Sequence, residues 1–248
     1  MRVVAIVQAR VGSTRLPSKV LADLDGDTML ARVVQRLRSA RSLHDVGIAT
    51  TTTSGDDAVA REAARLSVGL YRGPTDDVLA RYLGAAEASR ADVIVRVTAD
   101  CPLIDPGVVD EVVDALLAGG VDYASNTHTR SYPRGLDVEA LYRDTLERIG
   151  RLGTSPAARE HVTAFVMERP SLFAVRQVRA QTDDSDLRWT VDTTDDLALV
   201  RMLYARLGLA RHIRPYAEVV AAVRATPQLA AINAHVAQKP WQVTDVVA

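Results

Sequence analysis

Five apolar residues near the start of the chain, Val3-Val4-Ala5-Ile6-Val7, run straight into Gln8-Ala9-Arg10-Val11-Gly12-Ser13-Thr14-Arg15-Leu16-Pro17-Ser18-Lys19. A stretch apolar at every position, rather than at alternate ones, suits a strand covered on both faces, and such strands belong to parallel sheets flanked by helices. The loop it empties into carries three cations, Arg10, Arg15 and Lys19, and the hydroxyl or amide donors of Gln8, Ser13 and Thr14. Gly12 lets a ligand approach the backbone closely. That inventory suits a polyphosphate held outside the carboxyl end of a strand. Two familiar phosphate loops are excluded by spacing. A Walker A loop needs two glycines bracketing four residues before Lys-Ser/Thr, and the dinucleotide fingerprint needs three glycines; this loop has one.

A length of 248 residues fits one large α/β domain, or one with a small appendage. The formal net charge of −1 gives no chain-wide basic field, so nucleic acid is not an expected partner and the loop cations must act locally. The single cysteine, Cys101, excludes an internal disulfide and a multi-cysteine zinc site. Too few apolar residues precede Gln8 for a signal-peptide core, and no run approaches the ~20 that a membrane span requires. A cytoplasmic protein without membrane contact is expected.

Helix and strand signals then alternate. Thr28 can cap a helix with Leu30, Val33, Val34 and Leu37 on one face; Val46–Thr50 and Val68–Tyr71 read as strands, with a helix opened by Asp56-Asp57 between them. This alternation argues for a parallel sheet with right-handed crossovers. Asp76-Asp77 can cap a further helix or face a ligand. The run Val93 to Val97 is a buried strand with Asp100 just beyond it. Asp105, ahead of Pro106, is the better cap for the next helix, which leaves Asp100 free to hold Mg²⁺, a hard cation that favours carboxylate, water and phosphate oxygens. Nothing in the sequence lowers the pKa of Cys101, so it reads as a packing residue.

Asp122–Asn126 reads as a strand, and Leu136 to Leu141 as another with one polar face. Asn126, Arg134, Asp137 and Glu139 suggest a polar pocket, although Asp137 and Glu139 could also line a solvated strand face. Arg159-Glu160-His161 lies on a helix opened by Ser155-Pro156, where His161 is either a ligand contact or a satisfied structural histidine. Arg188–Val191 is strand-like. Thr193 or Thr194 can cap the helix near Asp195, so capping does not account for Asp192.

Residues 9–19 match every fixed position of Ala-Arg-x-x-Ser-x-Arg-Leu-Pro-x-Lys. They resemble the opening motif of the cytidylyltransferases that make CMP-sugars of 3-deoxy-manno-octulosonate and of sialic acids. Gln8 and the rest of the chain look most like the spore coat polysaccharide biosynthesis protein F branch. Asp76-Asp77-Val78-Leu79, Tyr132-Pro133-Arg134-Gly135-Leu136-Asp137-Val138-Glu139 and Val191-Asp192-Thr193 are similar to further family motifs. Ser18 and Ala99 depart from frequent family glycines.

The resemblance implies a three-layer α/β/α fold of the nucleotide-diphospho-sugar transferase type, Rossmann-like, with a mostly parallel mixed sheet. It implies transfer of CMP from CTP to an acidic sugar, with Mg²⁺ on Asp100 and Asp192. Arg10, Lys19 and Asp100 would be catalytic. Gln8, Ala9, Arg10, Gly12, Ser13, Arg15, Lys19 and Thr98 would meet the nucleotide, with Asn126, Arg134, Asp137, Glu139, Arg159 and His161 near the acceptor. Residues 1–210 would form the nucleotidyltransferase domain, 127–141 a dimerisation excursion in a homodimer, and 211–248 a helical extension packed on the domain. Two other classes compete. A glycosyltransferase normally shows Asp-x-Asp at the strand end, where this chain has Asp100-Cys101-Pro102; a non-catalytic homologue would be expected to lack Arg10, Lys19 or an aspartate, and all are present.

Overall fold

The first strand of the sequence becomes the middle of the sheet. A computed structural model describes residues 1–238, with strands β1 (Val3–Gln8), β2 (Asp45–Thr51), β3 (Gly69–Gly73), β4 (Val93–Thr98), β5 (Tyr123–Ser125), β6 (Glu139–Tyr142) and β7 (Val175–Gln177) in the order β3-β2-β1-β4-β6-β5-β7. Strands β1 to β4 pair in parallel, and only β6 runs against the rest. The mostly parallel mixed sheet expected from the sequence is therefore present.

Both faces of β1 are covered, as its unbroken apolar run requires. Val3, Ala5 and Val7 enter one core with side chains of α1 (Met29–Leu37), α2 (Asp57–Arg65) and, beyond α3 (Val78–Ser89), α4 (Pro106–Leu117). Val4 and Ile6 enter a second core with α3, α5 (Arg143–Leu152), α6 (Pro156–His161) and α7 (Ala164–Glu168). Each such aliphatic side chain contributes about 1.5–3 kcal/mol on burial. Thr28 caps α1 through the Ala31 amide (3.0 Å), and Asp105 caps α4 ahead of Pro106. The helix α8 (Thr194–Leu207) starts in a capping box of Thr193 and Asp196, so Asp192 is not its cap. Residues Val219 of α9 (Tyr216–Arg224) and Leu229 of α10 (Pro227–Ala231) join the first core. The expected helical end around Lys239-Pro240-Trp241 lies outside the described residues. Among the described residues no helix is long and apolar enough to cross a membrane.

Two segments differ from expectation. The alternating stretch from Leu136 forms a strand only from Glu139, because Leu136 and Val138 are drawn into the first core and Asn126 clamps the intervening backbone: its amide donates to the Leu136 carbonyl (2.7 Å) and accepts from the Val138 amide (2.9 Å). Arg188–Val191 is extended but makes a single bridge, to Arg134, and spends the Val191 amide on the Asp100 carbonyl oxygen (2.9 Å). This places the end of that segment against the loop after β4.

The excursion is pinned by Gly135, which has φ +104°; a Cβ there would meet the Thr190 amide nitrogen at 2.6 Å and the Trp189 carbonyl carbon at 2.7 Å. Both obstacles are backbone. Gly135→Ala is expected to lose about 2 kcal/mol or more of unfolding free energy in a urea titration. A loss below about 0.5 kcal/mol would show that the two segments part without cost.

Candidate active site

The register between β1 and β4 sets the site: Gln8 lies beside Thr98, so the loops leaving both strands emerge together at the carboxyl edge of the sheet. The first loop is tied down from β2's side. Asp56 accepts the Val11 amide (2.7 Å) and the Thr51 hydroxyl, and the Ser18 amide donates to the Val11 carbonyl oxygen (3.0 Å). Asp56 stands just before α2 but makes no side-chain cap bond there. Ser18 turns the chain at φ 56°, a left-handed geometry that glycine adopts more cheaply. The short 3₁₀ turn Lys19–Leu21 follows and sends Lys19 inward.

There the Lys19 ammonium donates to Asp100 Oδ2 (2.9 Å), Asp192 Oδ1 (2.8 Å) and the Val191 carbonyl oxygen (2.7 Å). The other oxygen of each carboxylate is held elsewhere. Asp100 Oδ1 accepts the Thr98 hydroxyl (2.5 Å); Asp192 Oδ2 meets Arg15 (2.9 Å) and Arg188 (2.7 Å). Burial works to lower the Lys19 pKa, but Asp100 and Asp192 outweigh it and hold the ammonium above the ordinary lysine value. Burial works to raise the Asp192 carboxyl, while Lys19, Arg15 and Arg188 hold it below the usual range. Two acids 92 positions apart in the chain thus share one cation.

This differs from the expected cradle of three free cations. Lys19 and Arg15 are committed to carboxylates, and Arg10 is exposed, with no ion-pair partner among the described residues. Thr98 spends its hydroxyl on Asp100 rather than on open space. Gln8 keeps a buried side-chain oxygen without a partner among the described residues. Gly12 has nothing within 4 Å of the position a Cβ would take. Ala9 is packed in the core below the loop, and Ser13 receives the Leu16 amide at 3.4 Å. Cys101 is buried, and burial raises its thiol pKa well above the ordinary value, which leaves it inert.

The expected acceptor residues do not form one open pocket. Asn126 is buried in the clamp already described, and Asp137 forms a two-pronged pair with Arg130 (2.5 and 2.9 Å). Arg159 pairs with Asp77 (3.2 Å), the residue that caps α3. Glu139 is neither solvated nor open: it pairs with Arg96, directly opposite on β4, and accepts the hydroxyls of Tyr123 (2.5 Å) and Thr163. His161 is half-buried where the chain turns sharply, the Thr163 amide donating to the His161 carbonyl oxygen (2.6 Å) across Val162 at φ 58°. A β-branched residue in that geometry is strained. Burial lowers the His161 pKa, so the ring favours its neutral form. Arg134 remains half-buried beside Arg130 and Arg188, and burial with those like charges lowers its pKa.

Asp56, Arg96, Thr163 and Arg188 were missed in the sequence. One signal was available: Arg96 interrupts an otherwise apolar strand, and a charge placed there needs a buried partner.

A family model described as Cytidylyltransferase matches residues 4–206. Spore coat polysaccharide biosynthesis protein SpsF of Bacillus subtilis is 31% identical, over 82% of this chain and 86% of its own. A 3-deoxy-manno-octulosonate cytidylyltransferase of Anaeromyxobacter dehalogenans is 32% identical, over 82% of this chain and 98% of its own. Among solved structures, a cytidylyltransferase from Leptospira borgpetersenii superposes with a TM-score of 0.87 at 30% identity, covering 93% of this chain and 97% of the other.

Burial works to raise the Glu139 carboxyl, but Arg96, Thr163 and Tyr123 together hold it below the ordinary range. Its stabilisation is therefore complete above the unfolded carboxyl value, about 4.3, and is lost as pH falls through the lower folded value. Glu139→Gln leaves Arg96 buried without a counter-charge and is expected to cost roughly 3 kcal/mol or more at neutral pH. Urea titrations across pH should show that difference constant above about pH 5 and shrinking below about pH 4. A difference that ignores pH would mean that Glu139 is not ionised in the fold.

Proposed function

The chain belongs to the cytidylyltransferase family, and on that premise we propose that it transfers CMP from CTP to a hydroxyl of an acidic sugar, releasing pyrophosphate, with Mg²⁺ as its metal. The observation that carries this reading is the convergence of Asp100 and Asp192, from distant loops, on one cation beside the Arg10 loop.

The donor set fits a hard divalent ion. Both carboxylates direct one oxygen to a point where a cation already sits, and the Val191 carbonyl oxygen lies on the same point. Among the described residues no group of three or more His, Cys, Asp or Glu could hold a metal, so water and phosphate must complete the shell. When bound, the metal offsets triphosphate charge and polarises the α-phosphoryl group. Arg10 and the loop amides hold the triphosphate, while Thr98, Arg15 and Arg188 keep the two carboxylates aimed. Gln8 offers an unpaired acceptor oxygen, which suits the exocyclic amino group of cytosine. Arg134, a cation short of counter-charge, is matched to an acceptor carboxylate, and His161 to its hydroxyls. The acceptor hydroxyl attacks the α-phosphorus in line with departing pyrophosphate, so the protein works by positioning and charge stabilisation.

Residues 1–210 form the catalytic domain in this reading, with 211–248 its extension. Surface polysaccharide or glycoconjugate synthesis is the setting that the relatives' names support. A homodimer is part of the proposal, with the excursion 127–141 near its two-fold axis, where Thr129 is exposed and Thr127, His128, Arg130, Arg134 and Asp137 are half-buried in the single chain. Light scattering at micromolar concentration should return twice the 26.8 kDa chain mass; the mass of a single chain counts against the dimer.

The reading is tested by pyrophosphate release from each nucleoside triphosphate with a panel of acidic sugars. Asp192→Asn should lose about a hundredfold or more in turnover. Raising Mg²⁺ should restore part of it if weakened metal binding is the main defect. Asp195→Asn, whose carboxylate pairs with His235 (3.1 Å), should remain active. The opposite pattern would place the metal on the wrong carboxylate.

A further inference from the structure

Lys19 is one of only two lysines among 30 basic residues, the other being Lys239. Its surroundings are those of a metal ion more than of a surface ammonium. Three oxygens lie 2.7, 2.8 and 2.9 Å from its nitrogen, and its side chain is 10% exposed. Each acid is divided in the same way, one oxygen fixed by Thr98 or by the arginines and the other turned to Lys19. A divalent ion bound by both acids would use the oxygens that Lys19 now occupies. An Mg²⁺ ion lies about 2.0–2.1 Å from its ligands, so ammonium and metal cannot share the point.

We propose that Lys19 is an internal counter-ion that holds the metal position in the nucleotide-free protein and is exchanged for the divalent ion. This rests on the reading of Asp100 and Asp192 as metal acids. Lysine suits such a role: its charge is compact and its four-carbon stem flexible, whereas a guanidinium is a planar fork. The displaced ammonium needs another anion, and the adjoining loop is where the triphosphate would lie. Metal and nucleotide therefore bind with positive coupling, each strengthening the other by the same factor. The resting charge also keeps the acids aimed before either ligand arrives.

The test measures Mn²⁺ binding by calorimetry on the full chain without nucleotide. Lys19→Met, which keeps the length and removes the charge, is expected to bind Mn²⁺ roughly tenfold more tightly than the parent protein, and to show less tightening when CTP is added. Equal or weaker Mn²⁺ binding by Lys19→Met overturns the exchange. Should that variant fail to fold, the parent protein supplies the answer by brief acetylation with acetic anhydride. Mass spectrometry then reads Lys19 separately from Lys239. Mn²⁺ alone should accelerate Lys19 labelling several-fold; unchanged or slower labelling overturns the exchange. Mn²⁺ binding that depends on Asp192 but does not respond to Lys19→Met removes this inference and leaves the metal reading standing. If neither protein binds Mn²⁺, with or without CTP, both are lost.

Discussion

The pairing of β1 with β4 is the constraint on which the rest of the molecule depends. Six residue pairs run from Val3↔Val93 to Gln8↔Thr98 with no irregularity, so the two loops that follow begin side by side. The apolar run that makes β1 a central strand thereby fixes where charge can gather. The ladder runs one residue past each strand, the Ala9 amide donating to the Ala49 carbonyl oxygen (3.1 Å) and the Ala99 amide to that of Gln8 (3.0 Å), and the groups beyond have no strand to pair with. Side chains and ligands must satisfy them instead. Asp56 is one answer, taking the Val11 amide and so tying the loop to the neighbouring crossover.

A second constraint lies within the sheet. Arg96 and Glu139 are cross-strand partners on β4 and β6, both on the face that packs against α3. Taking two charges out of water costs several kcal/mol each, and an aliphatic pair would serve stability as well or better. What the pair supplies is register. A slip of one residue would turn Glu139 into the opposite, aliphatic core and leave Arg96 alone in its place. The only antiparallel strand of the sheet is thus locked beside a parallel one by a contact that tolerates no alternative.

The sequence made the fold legible because its signals are local. Strand runs, turn residues and caps such as Thr28 and Asp105 are read within a few positions, and the parallel order follows from alternation. The site was legible as an address: Asp100 and Asp192 each stood at a strand-like end with no capping duty. Their partners were not legible, since which cation meets which acid is decided by side-chain direction across 81 and 173 positions of sequence. Lys19 read as a loop cation because it shares one polar loop with Arg10 and Arg15; the left-handed turn at Ser18 that sends it inward has no signature in a serine. Glu139 misled in the other direction. Alternation marked its face as polar, and only the unpaired-looking Arg96 could have shown that this face is buried.

Strain in the backbone follows the same geography. Among the described residues five non-glycine residues have positive φ, and two of them, Ser18 and Val162, directly precede Lys19 and Thr163. Neither position is chosen for conformational ease, and each strained residue costs of order 1–3 kcal/mol that surrounding contacts must over-determine. At Ser18 the bond from its amide to the Val11 carbonyl oxygen and the three acceptors on the Lys19 ammonium do so. At Val162 burial of the side chain and the Thr163 hydroxyl on Glu139 do so. In both cases a charged group in the interior holds the turn and the turn holds the charged group, so neither can relax separately. Contacts of this kind fix the Lys19 turn at the carboxyl edge, and each group so held reduces the ordering that binding must supply.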